Sequence, residues 1–179
     1  MRAQIQQALP ELAIARVMRL VLDTNVVLDW LLFQDAALDP LRLAVLEGRV
    51  SLVSLAHGMD ELHRVLQYPK LGLEPIRQQE VLTQYARASV PFPELTRDNV
   101  LPAGFPRCRD SDDDPFVALA YFALADALVS KDKQVLRLRK KAAKFGVVVL
   151  TPVQLITLMT AMRTNMSKSA AVDQESSVS

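Results

Sequence analysis

Four short apolar bursts alternate with stretches of helical spacing, and acidic residues follow the bursts closely; together these predict a three-layer α/β/α domain. The bursts are Arg19–Leu22, Val50–Ser54, Ala127–Val129 and Val147–Leu150. Runs this short, bounded by polar residues, read as strands buried on both faces. Strands alternating with helices imply βαβ units, and hence a central parallel sheet of four or five strands. The 179 residues suffice for one such domain, burying roughly 70% of the unfolded surface.

The elements follow in order. Ile5, Leu9, Leu12 and Ala13 have helix-like spacing broken by Pro10, so residues 1–18 are expected to form a helical extension. The domain proper is expected over 19–160. After the first strand a helix is predicted near 38–47. Ser54 ends the second strand, where it suits the N-cap of the next helix. Another helix is predicted over 74–88, with Pro75 in its first turn and Ile76, Val81, Leu82 and Tyr85 on one face. The proline-rich stretch from Val90 to Pro106 reads as a weak strand plus loop. A helix carrying Phe116–Ala120 and another over Lys133–Lys144 complete the layers. Residues 161–179 are poor in large apolar side chains and are expected to be a disordered tail. No internal repeat is evident.

Composition narrows the function classes. Lys and Arg number 21 and Asp and Glu 20, a net charge of +1, so no overall field draws the chain to nucleic acid. Any such contact needs a local patch. One cysteine, Cys108, cannot form an internal disulfide and fits a reducing cytoplasm. No segment approaches the roughly 20 apolar residues of a membrane span. Arg16 and Arg19 flank too few apolar residues for a signal peptide. A cytoplasmic location without membrane attachment is the expectation.

In open α/β sheets, ligands bind beyond the carboxyl ends of the strands. Asp23 directly ends the first strand, and Asp132 lies just past the third burst. Glu61 lies seven residues after Ser54, two helical turns on and on the same side. Asp110-Ser111-Asp112-Asp113-Asp114 immediately precedes a helical apolar run. Each acid alone fits an ordinary role: Asp23 and Asp132 as caps, Glu61 as a solvated helix residue, the Asp run as a complement to a helix dipole. Jointly they converge on one sheet edge. Two carboxylates 4 Å apart repel by about 4 kcal/mol at an effective dielectric near 20. A hard cation, Mg²⁺ or Mn²⁺, relieves that repulsion through oxygen ligands.

These residues carry a family resemblance. Val21-Leu22-Asp23-Thr24-Asn25-Val26-Val27-Leu28 resembles the opening motif of PIN-domain nucleases. Glu61-Leu62-His63-Arg64-Val65-Leu66 with Tyr68-Pro69-Lys70-Leu71 is similar to their second acidic motif, in the branch described as toxin components of toxin–antitoxin pairs. Cys108 to Val117 is similar to that branch's third motif, and Ala125 to Leu136 resembles the fourth. The resemblance covers about 19–155, with four motifs in the family's order. It implies metal-binding, catalytic acids at Asp23, Glu61, Asp113 and Asp132, with Asp114 the close alternative to Asp113. Thr24, Asn25 and Ser130 would support them. It also implies an endoribonuclease using Mg²⁺ or Mn²⁺, a small antitoxin partner and a homodimer. His57, Pro115 and Ser130 depart from the family's usual residues, but no acid is lost.

Rival constellations are weaker. His57 and His63, six apart, sit about 240° apart on a helix and cannot pair on zinc. Gly-x-Ser-x-Gly and phosphate-cradling glycine loops are absent. Asn25 stands where a dehalogenase-type phosphatase would need a second Asp. Lys131, Lys133, Arg137, Arg139, Lys140, Lys141 and Lys144 form a basic stretch after the fourth acid. Arg139, Lys140 and Lys141 are its candidate RNA contacts, and a solvated helix face is the alternative. Two other classes stay open: a non-catalytic metal-binding interaction module, and a small-molecule phosphohydrolase.

Overall fold

The computed structural model describes residues 17–93, 95, 99–107 and 114–176. The expected extension up to residue 16, Cys108 and the acids Asp110, Asp112 and Asp113 lie outside the described residues. Five parallel strands form one sheet, in the order β3-β2-β1-β4-β5. They are β1 (Met18–Leu22), β2 (Val50–Ser54), β3 (Ser89–Pro91), β4 (Ala127–Val129) and β5 (Val149–Leu150). Leu20 is the register point, facing Leu52 of β2 and Ala127 of β4. The three-layer architecture expected from the alternating bursts is the one observed.

Strand residues alternate cleanly between two cores, as a two-residue side-chain period requires. Leu20, Leu22, Leu52, Ala127 and Val129 face one core. Against them pack α1 (Thr24–Val27, continued by a π turn through Leu32), α2 (Asp39–Leu46), α3 (Ala56–Leu66), α4 (Pro75–Ala88) and α8 (Pro152–Ser176). Val21, Val53, Leu128 and Val149 face the other. That face is covered by α5 (Asp114–Phe122), α6 (Lys133–Arg137) and α7 (Arg139–Ala142).

Several local expectations are corrected. Ser54 does not cap α3: β2 continues through it, paired with Pro91, and its hydroxyl accepts from Ser89 Oγ at 3.0 Å. Leu55 takes the N-cap position without a side-chain bond. Ile76 is exposed while Val81 and Tyr85 are buried, because five residues along a helix turn the side chain by about 140°. The predicted 133–144 helix is two short helices and a 3₁₀ turn over Ala143–Phe145.

The helix α8 runs through the expected tail to Ser176. Its start is a capping box: Gln154 N donates to Thr151 Oγ1 at 3.2 Å, and Thr151 N to Gln154 Oε1 at 3.0 Å. No Gly or Pro follows Pro152 to stop it. Along it Thr157, Thr160 and Thr164 donate their hydroxyls to carbonyls four residues back, which meets their own hydrogen-bonding need without leaving the helix.

Candidate metal centre

The sheet order reverses direction between β1 and β4, which opens a crevice beyond their carboxyl ends. Asp23 and Ser130 are the first residues past those ends. Asp23 N donates to Val129 O at 3.0 Å and Ser130 N to Leu150 O at 3.0 Å, so both are held by the sheet itself. Their side chains meet: Ser130 Oγ donates to Asp23 Oδ2 at 2.5 Å. The same hydroxyl accepts from Asp132 N at 2.9 Å. One buried serine thus ties the acid after β1 to the acid after β4.

Asp132 caps α6, with Oδ1 accepting from Gln134 N at 2.5 Å and Val135 N at 3.3 Å. Asp23 caps α1 loosely, through Asn25 N at 3.4 Å. Capping and a place at the crevice are therefore not alternatives; both acids do both. Asn25 is exposed, while Thr24 is buried. Glu61 reaches the crevice from α3 and is partly buried.

Electrostatics mark this spot. Burial pushes the Asp23 carboxyl above its ordinary value, against the Ser130 hydrogen bond, and the charge of Asp132 pushes the same way. Glu61 is likewise raised, first by burial and then by the charge of Asp23. Thr24 and His57 favour ionised Glu61 only in part. The Thr24 hydroxyl lies near Glu61, yet the geometry stops short of a hydrogen bond: Thr24 Oγ1 and Glu61 Oε2 are both buried without a partner among the described residues. Orphaned buried oxygens cost about 1–3 kcal/mol each. An all-oxygen donor set with unfilled lone pairs and mutual repulsion fits a hard divalent cation.

Placement of the remaining predicted residues is uneven. Asp114 is the first residue of α5, and Asp113 lies outside the described residues. Among the described residues no three carboxylate or imidazole groups converge closely enough to hold a metal by themselves. Arg139 is a strut, donating Nε to Val149 O and Nη2 to Gln154 Oε1, both at 2.8 Å. Lys140 and Lys141 are exposed.

Two neighbours escaped the sequence reading. Tyr85, fully buried in α4, has its hydroxyl's proton held more tightly by burial and by the charge of Asp23. It looked like an ordinary apolar-face residue. Asp29 forms an ion pair with Lys131, joining the turn after α1 to the segment between Ser130 and Asp132. Its place six residues past Asp23 was the available signal.

A family model described as PIN domain matches residues 19–134, more than half of the chain. The chain belongs to the PIN-domain family. That match spans β1 through the start of α6 and contains Asp23, Glu61, Asp113, Asp114 and Asp132; α7, β5 and α8 lie beyond it. A PIN domain carries a nuclease-type fold, which agrees with the acids standing at the sheet's switch point. No curated protein matches the chain. No helix among the described residues is long and apolar enough to cross a membrane.

Proposed function

We propose that this PIN domain is a metal-dependent endoribonuclease, hydrolysing RNA phosphodiester bonds with Mg²⁺ or Mn²⁺. The observation that carries the reading is Glu61 Oε2, buried and unpartnered beside the negative charge of Asp23. A protein has no folding advantage in keeping that arrangement. Asp23, Glu61 and Asp132 would hold the cation, joined by Asp113 or, less directly, Asp114. When bound, the cation supplies a lowered pKa for a bound water and charge neutralisation at the phosphate. Ser130 fixes the Asp23 carboxylate by its hydrogen bond and keeps Asp132 in register. Thr24 stands against Glu61, and Asn25 is exposed at the mouth, where it can meet substrate. Lys140 and Lys141 are free to track a phosphate backbone, whereas Arg139 does so only by giving up its bonds to Val149 and Gln154.

The choice of RNA rests on the likeness of all four motifs to PIN nucleases. A restraining antitoxin and a homodimer rest on the likeness of the second and third motifs to toxin components, and a cytoplasmic setting on the single cysteine, Cys108. The test uses the purified chain with labelled single-stranded RNA and DNA. RNA cleavage is expected with millimolar Mn²⁺ and none with EDTA. Mn²⁺ at 100 times its Kd should also stabilise the fold by about 2.7 kcal/mol, roughly 5–11 °C in Tm for a chain of this size. A shift in Tm without cleavage would favour the interaction module. Identical melting with Mn²⁺ and EDTA, and intact RNA, would remove the proposal.

A further inference from the structure

We infer that Gly58 is a positioning residue of the metal centre, setting the approach of the Glu61 helix to the helix that begins at Asp114. The inference rests on the cation-binding reading above. Gly58 is buried near the start of α3, and glycine inside a helix weakens it relative to alanine. The reason for glycine here is close approach. A Cβ placed at Gly58 would lie 3.2 Å from Phe116 Cε1 and 3.6 Å from Cζ, so the first atom of any side chain already crowds the ring.

Both sides of this contact carry acids. Glu61 follows Gly58 by three residues, one turn along α3. Phe116 follows Asp114 by two, within the first turn of α5. The ring is buried in the core with Val117 and Leu119. A cavity of about 10 Å³, bordered by Gly58, Phe116, Thr24 and Tyr85, is room for at most one water and not for a displaced phenyl ring. A side chain at residue 58 therefore moves α3 against α5 and carries Glu61 away from Asp23. Misplacing a reacting group by 1 Å costs about 100-fold. A few tenths of an ångström then correspond to roughly 3- to 5-fold.

The experiment compares the wild type, Gly58→Ala, Gly58→Val and Gly58→Ala/Phe116→Leu. Metal affinity is read as the Mn²⁺ midpoint of an isothermal calorimetric titration of the metal-stripped protein, without reference to activity; kcat and KM on RNA are measured alongside. Gly58→Ala should raise the Mn²⁺ midpoint and lower kcat by roughly 3- to 5-fold, with KM almost unmoved. Its metal-free Tm should move little, because the helix gain of about 1 kcal/mol from alanine is offset by a crowding cost of similar size at the ring. Gly58→Val should approach a 100-fold loss, and Phe116→Leu should restore most of what Gly58→Ala loses. A Gly58→Ala protein with wild-type Mn²⁺ midpoint and kcat overturns the inference, whether or not Gly58→Val folds. Failure of Phe116→Leu to rescue overturns it too. A wild type that binds no Mn²⁺ is a different failure, since it removes the functional reading beneath.

Discussion

Asp23 and Asp126 sit at opposite ends of two adjacent parallel strands and differ in almost everything except chemistry. Asp126 precedes β4 at the amino edge of the sheet, where Arg19 N donates to its Oδ2 at 2.7 Å and its own N donates to Arg19 O at 2.7 Å. Arg19 also reaches Ala123 O at 2.8 Å. The amino edge is thus closed on itself. Asp23 follows β1 at the carboxyl edge, is 3% exposed, and faces two further acids, Glu61 and Asp132. One carboxylate completes the fold; the other strains it. Strain at a crevice, rather than an acid beside a strand, is what separates a site from a cap.

The largest expected effect tests that contrast directly. Asp23→Asn should lower RNA cleavage by roughly 100- to 1000-fold, the equivalent of several kcal/mol of charge stabilisation. Its metal-free Tm should hold or rise, because one repelling charge is removed. Asp126→Asn should show the reverse pattern, losing about 1 kcal/mol with its charge-assisted bond and keeping its kcat. Melting curves and single-turnover cleavage on both proteins check this. If Asp23→Asn unfolds while Asp126→Asn loses activity, the two edges have been assigned the wrong way round.

A second effect concerns pH and sharpens the contrast. Asp23 and Glu61 are raised from ordinary values of 3.8 and 4.5, so the native state holds protons that the unfolded chain has already released. Stability contributed by these two acids is therefore full below about pH 4 and is lost as pH rises through their elevated native values. Cation binding demands the ionised forms, so the Mn²⁺-induced rise in Tm should be small near pH 4 and grow toward pH 8. In EDTA, the Tm of wild type minus that of Asp23→Asn/Glu61→Gln should fall across the same range. A difference that stays flat or climbs with pH would mean the pair is not disfavoured as charged groups.

Most of the architecture was legible because the strands are buried on both faces and stand out as unbroken apolar bursts. The least clear strand was Ser89–Pro91, too short for its own periodicity to declare it, whereas Val149–Leu150 showed through the longer apolar run that begins at Val147. Asp23 and Asp132 were legible by position, since each closely follows a strand that the pattern had already located. What escaped depends on distant contacts. Nothing local says that Ser54 will meet Ser89 rather than cap a helix, or that Tyr85 will lie beside Asp23. The start of α8 was readable and overlooked, because Thr151-Pro152-Val153-Gln154 is a capping box in the sequence itself.

The smallest effect lies at the amino edge, where stability should change without touching chemistry. The helix α5 ends in a Schellman turn, with Ala125 N donating to Ala120 O at 3.0 Å and Leu124 N to Tyr121 O at 3.2 Å. Leu124 occupies the left-handed position of that turn, at φ 50°, where glycine is the usual residue. A side chain there costs about 1–2 kcal/mol. Its apolar body returns little, since Leu124 is 75% exposed. Leu124→Gly relieves the strain but loosens the unfolded chain, an opposing effect of roughly 0.4–1 kcal/mol. The net gain should be about 0.5–1 kcal/mol, or roughly 1–4 °C in Tm for a chain of this size. Because Leu124 lies next to Ala125 and Asp126, before β4 begins, RNA cleavage and the Mn²⁺ midpoint should match the wild type. A gain in Tm accompanied by a changed Mn²⁺ midpoint would show that the two edges are coupled through β4, and the separation drawn between Asp23 and Asp126 would not survive it.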